Sequence, residues 1–119
     1  VDGHDPVEIA QAIRTAQEKY GKGKPVTPEQ VRWGLENLDI SQARLDELGF
    51  GKLMRPVKTS CADHMGSSWA RIITWNGEKY ETTSDWYEAD MSVIDPLVKA
   101  GADKYAKEKG LTSRDCSKE

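Results

Sequence analysis

Three residue types that can do chemistry stand within four positions of one another: Cys61, Asp63 and His64, in the run SCADHMGSSWARI at 60–72. A thiolate, a carboxylate and an imidazole are all zinc ligands, and a cysteine beside a histidine is the minimal nucleophile–base pair. The spacing completes neither chemistry. A structural zinc site needs a full tetrahedral set in paired spacing, and the rest of the chain adds only His4 and Cys116 to its histidines and cysteines. A Cys–His pair this close on an extended chain meets awkwardly, and nothing nearby suggests a third, orienting group. The reading preferred here is a polar loop that leads into a strand.

The remaining candidates are weaker. Asp2, His4 and Asp5 in VDGHD read as a frayed terminus followed by a helix cap. The glycines of GFG (49–51) and GKGK (21–24) lack the strand–turn–helix setting of a phosphate loop. Asp and Glu are abundant, but no spacing singles out an acid–base pair. The residues alone show no enzyme and imply no cofactor.

The elements around these residues carry clear signals. Asp5, Pro6 and Glu8 make a capping box for a first helix, with Ile9, Ala12, Ile13, Ala16 and Tyr20 at helical spacing and Gly21 as its stop. Thr27, Pro28 and Gln30 open a second helix whose apolar line is Val31, Leu35 and Leu38. Trp33 lies off that line. Ser41 caps a short third helix carrying Ala43, Leu45 and Leu48 and stopped by Gly49. The run 49–60 is expected to be irregular or extended, since Pro56 does not suit a central strand. WARIITW (69–75) and KYETTSDWY (79–87) read as two strands joined by a two-residue type I′ turn at Asn76-Gly77. Trp69, Trp75, Tyr80, Trp86 and Tyr87 gather there, more as cross-strand packing than as a ligand platform. A last helix is expected from Ser92 or Asp95 to Lys109. Its stripe is Ile94, Leu97, Val98, Gly101 and Tyr105, Pro96 falls in its first turn, and Gly110 ends it.

The chain of 119 residues suits one domain, with 1–7 expected to be unordered or foreign to the native chain and 111–119 a polar tail. A formal net charge of -3, with both signs mixed throughout, argues against a nucleic-acid partner. No apolar run is long enough to span a membrane. The N-terminus has no signal pattern, which leaves a cytosolic protein, a processed one, or a piece of something longer. The two cysteines fit one disulfide or two thiols.

The order of segments resembles a known family. TPEQVRWGLENLD, then VKTSCADHMGSSWARIITWNGEKYETTSDWY, then VIDPLVKAGADKYAKEKG, preceded by the helix of AIRTAQEKYG, is similar to the C-terminal part of an ABC-transporter substrate-binding protein. The group is the type I periplasmic binding proteins of the branched-chain amino acid (Leu/Ile/Val) class, and W-x-G-x-x-Y is its hairpin. The resemblance covers residues 8 to about 110 and rests on no catalytic signature. It implies an α+β fragment, helices plus a C-terminal β-hairpin, cut from a two-lobed α/β type I periplasmic binding protein. It further implies that an amino acid or related solute binds in the inter-lobe cleft for delivery to a membrane permease. Asp63 and His64 become cleft-proximal ligand-binding candidates, and the site of the chain becomes the periplasm, or an extracellular, membrane-anchored position. In an oxidising compartment Cys61 and Cys116 become a disulfide.

Two other readings stand beside this one: a small protein-interaction module, and a small enzyme or metal protein using Asp63 and His64. A truncated piece would also expose apolar edges that favour a homodimer, with Tyr20, Trp33, Leu35 and Trp86 as contact residues.

Overall fold

The computed structural model describes residues 4–118, with the side chains of 6–117. The expectations for Asp2 and for the capping side chain of Asp5 therefore lie outside the described residues. The described residues divide into two compact units, 4–67 and 68–118.

The first unit holds the core. Helix α1 runs His4–Tyr20 and ends where Gly21 takes a positive φ and donates its amide to the Gln17 carbonyl at 2.8 Å. Helix α2, Pro28–Leu35, starts with the expected capping box. The Thr27 Oγ1 accepts from the Gln30 amide at 3.3 Å, and the Gln30 Oε1 accepts from the Thr27 amide at 3.0 Å. Helix α3, Gln42–Glu47, is capped by Ser41 Oγ, which accepts from the Arg44 amide at 3.2 Å.

α1 and α2 meet at Ala12 and Gly34. A Cβ on Gly34 would collide with the Ala12 carbonyl, so only glycine permits this approach. Tyr20 and Trp33 close the same pair of helices in an edge-to-face contact, with centroids 5.6 Å apart, and Lys19 Nζ stands 3.8 Å from the Trp33 centroid. Two of the residues expected at a dimer contact thus pack on each other.

Strand β1, Asp39–Ile40, pairs antiparallel with β2, Val57–Lys58, in the run expected to be irregular or extended. The register puts Ile40 opposite Val57 on the buried side and Asp39 opposite Lys58 outside, as the period of two requires. Val7, Ala12, Leu38, Ile40, Leu45, Met54 and Val57 form one buried cluster, with Leu48 and Phe50 against it. Thr59 ties the cluster's rim. Its Oγ1 accepts from the Leu38 amide at 3.0 Å and donates to the Leu35 carbonyl at 2.5 Å.

The second unit is an interrupted antiparallel ribbon followed by a helix. β3, Trp69–Ala70, pairs with β6, Tyr87–Glu88, and β4, Ile73–Trp75, pairs with β5, Tyr80–Thr82. Between the ladders the Ile72 amide donates to Ser84 Oγ at 2.8 Å and the Thr83 amide to the Ile72 carbonyl at 3.0 Å. The ribbon is therefore two short ladders, where two long strands were expected. The turn differs as well. Trp75 pairs with Tyr80, so 76–79 form the connection and the two-residue turn is absent. Asn76 has no positive φ, and its Oδ1 accepts from the amides of Glu78 and Lys79, each at 2.9 Å. That side-chain acceptor does what an I′ backbone would have done.

Helix α4 runs Met91–Lys109 and is capped by Asp90, which places Pro96 inside the helix and beyond the first turn expected for it. Gly110 ends it in the left-handed conformation. α4 has no buried residue.

All described strand pairs are antiparallel.

Candidate functional site

The polar loop 60–67 folds back on β2. The Lys58 amide donates to the Gly66 carbonyl at 3.0 Å, and Gly66 takes a positive φ with Val57 Cγ1 packed against the position of a Cβ. Ser60 and Asp63 clasp the loop: the Ser60 amide donates to the Asp63 carbonyl at 2.8 Å, and the Asp63 amide to Ser60 Oγ at 3.0 Å. Asp63 Oδ1 accepts from the Met65 amide at 2.9 Å. This carboxylate therefore shapes its own turn, the local bonding that suits aspartate in loops.

His64 points its Nε2 to 3.7 Å from Glu36 Oε1. The two ends of the pair differ sharply, since the His64 side chain is 64% exposed and that of Glu36 is 8% exposed. The distance is that of an ion pair when the imidazole is protonated, and longer than a hydrogen bond. Glu36 is the C-cap of α2, where the helix dipole disfavours an anion, so a neighbouring cation is favourable there.

Neither sequence-level chemistry is assembled. Cys61 and Cys116 are both disulfide-bonded, which leaves no thiolate for attack or ligation. Among the described residues no group of three or more His, Cys, Asp or Glu side chains could hold a metal ion. Glu36 and Thr59 are the residues that the sequence did not single out. An acid or threonine just past a helix or strand looks like ordinary surface until burial and the partner are known.

The second unit offers a surface of another kind. On α4, Leu97 is 69% exposed, and Val98 and Tyr105 are also exposed on the same face, with Ile94 half-buried beside them. On the ribbon Ile72, Ile73, Trp75, Tyr80 and Tyr87 are exposed, although Trp75 and Tyr80 face each other with centroids 5.1 Å apart. Trp86 carries the Arg71 guanidinium at 4.6 Å from its centroid. No helix among the described residues is long and apolar enough to cross a membrane.

No protein family matches the chain, and no curated protein does. A solved structure does match: the crystal structure of an ABC transporter permease from the Pseudomonas fluorescens group, with 43% sequence identity and a TM-score of 0.86. The match covers 94% of this chain and 27% of that one, so the chain spans about a quarter of the length of the solved protein. The likeness is to a protein described as part of an ABC transporter.

The same match corrects the family reading. The solved protein is titled a permease, so the identification as the C-terminal part of a Leu/Ile/Val-class substrate-binding protein is overturned. The solute-binding role in an inter-lobe cleft falls with it. The expected fold, a fragment of a two-lobed α/β type I periplasmic binding protein, is overturned by the same match, although the W-x-G-x-x-Y hairpin does form with Trp75 opposite Tyr80.

Proposed function

We propose that this chain is an extramembrane region of a longer ABC-transporter permease polypeptide, acting as a scaffold and carrying no catalysis of its own. The supporting observation is the likeness to the solved permease, at 43% identity over 94% of this chain. Two further facts agree with it. No described helix is both long and apolar enough to cross a membrane, and Asp63 and His64 of the 60–67 loop are spent on that loop's own turn and on Glu36. The partners are then the remainder of that polypeptide and the other transporter subunits, and nucleic acid is not among them. The disulfide-bonded state of Cys61 and Cys116 supports a position on the oxidising side of the membrane, in the periplasm or outside the cell.

Affinity capture from detergent-solubilised cells of the source organism, with an antibody to 68–118, tests this. The expected product is a membrane polypeptide several times longer than this chain, co-purifying with an ABC ATPase. Capture of a free soluble protein without transporter subunits would overturn the reading.

A further inference from the structure

Among the described residues two helices contain a glycine, Gly34 in the last turn of α2 and Gly101 in the middle of α4, and the structure shows a packing reason for the first alone. Gly34 of α2 is buried against Ala12 of α1, and a Cβ there would strike the Ala12 carbonyl. Gly101 of α4 has nothing within 4 Å of where its Cβ would stand. Glycine in a helix interior is less favourable than alanine, so an interior glycine without a neighbour is a local loss with no local return.

The residues around Gly101 share its face. At about 100° per residue Ile94, Leu97, Val98 and Tyr105 fall within a narrow arc centred on Gly101, while Lys99 and Asp103 fall opposite. The arc is the pattern of a helix that buries one side, yet α4 buries no residue. The contact of α2 with α1 likewise runs over a glycine, Gly34, set against the Ala12 backbone.

Resting on the longer-polypeptide reading above, we propose that the Gly101 face of α4 is the seat of an apolar helix supplied by another segment of the same polypeptide, crossing α4 with its backbone over Gly101. The solved permease contains the matched region together with nearly three-quarters of a chain that this one does not span, since the match covers 27% of it. That length is the source of the covering helix. Crossing at a small residue lets two helix axes approach closely, as Ala12 and Gly34 already do.

The test uses the polypeptide purified at its native length from the source organism, carrying Leu97→Cys or, as the opposite-face control, Asp103→Cys. Cys61 and Cys116 are disulfide-bonded and do not compete for a maleimide probe. The expected result is a polypeptide longer than 119 residues in which position 97 reacts slower than position 103 by about tenfold or more, as burial under a packed helix gives. In the same protein Gly101→Ala lowers the thermal midpoint, because the added methyl meets the crossing backbone. A longer polypeptide with equal reactivity at 97 and 103, and a midpoint raised by Gly101→Ala, overturns the covering helix and leaves the longer-polypeptide reading standing. A native product of 119 residues overturns both, and protection of position 97 that appears only with rising concentration would assign the face to a second copy.

Discussion

His64 Nε2 stands 3.7 Å from Glu36 Oε1, so the histidine of the one chemically suggestive loop is turned toward a buried carboxylate at the end of a helix. Its neighbour Asp63 holds the Met65 amide at 2.9 Å. Both residues serve the loop. The mostly exposed imidazole contributes little: His64→Ala is expected to change stability by less than about 1 kcal/mol, the range of exposed ion pairs. Asp63→Ala is expected to lower the midpoint of urea unfolding, while Asp63→Asn keeps the acceptor and the midpoint. A larger loss from His64→Ala than from Asp63→Ala would contradict this division.

Large apolar residues have opposite weights in the two units. Leu45 and Met54 are fully buried, so Leu45→Ala or Met54→Ala is expected to destabilise the first unit by about 2–5 kcal/mol. Leu97→Ala removes an equally large side chain from an exposed place and is expected to change the stability of this chain by less than about 0.5 kcal/mol. Denaturant titration of the three variants, followed by circular dichroism, compares them directly.

The two helix glycines predict substitutions of opposite sign in this chain. Gly34→Ala forces a methyl into the Ala12 carbonyl and is expected to cost about 1–3 kcal/mol through overpacking. Gly101→Ala meets open space and is expected to stabilise by about 0.4–1 kcal/mol by restricting the unfolded chain. Thermal melts that move in the same direction for both would refute the helix crossing at Gly34 or the vacancy at Gly101.

The start of α4 is sensitive to acid. The Ser92 hydroxyl, and then its amide at 3.0 Å, hold the Asp90 carboxyl below the ordinary aspartate value. A depressed carboxyl contributes stability that is present above its unfolded value and is lost as pH falls through the folded one. Helicity of the second unit should therefore fall on acidification from the ordinary aspartate value downward. Asp90→Asn should flatten that dependence while keeping a cap, and Asp90→Ala should lose helicity across the whole range. The Glu29 carboxyl, held low by its own amide and the Thr27 hydroxyl, adds an acid-sensitive contribution in the first unit.

What was legible in the sequence was local chemistry. Thr27, Ser41, Gly21, Gly49 and Gly110 each mark a boundary by a bond or a φ that neighbouring residues determine. What was not legible depended on partners far along the chain. Val57–Lys58 became a strand because Asp39–Ile40 was there to pair with it. Asn76-Gly77 looked like the strongest turn signal, but the register of Trp75 with Tyr80 set a longer connection. Asp90 capped α4 ahead of Pro96, so the helix starts upstream of the proline and forgoes the bond that Pro96 cannot donate. The loop at 60–67 was correctly read as polar, and Glu36 escaped notice because burial is not written in residue type. The family reading failed for a related reason: segment order is shared more widely than function.

The Asn76 side chain joins the turn to its strand, with Oδ1 accepting two amides and Nδ2 donating to Glu81 Oε1 at 2.8 Å. Asn-Gly is also the pair most prone to losing its amide as a protein ages, by attack of the following backbone nitrogen. Hydrolysis to aspartate would keep an acceptor for the two amides but turn the donor facing Glu81 into a second negative oxygen. One slow chemical event would thus set two carboxylates against each other at the tip of the ribbon, giving old molecules a more acidic and more frayed hairpin than new ones.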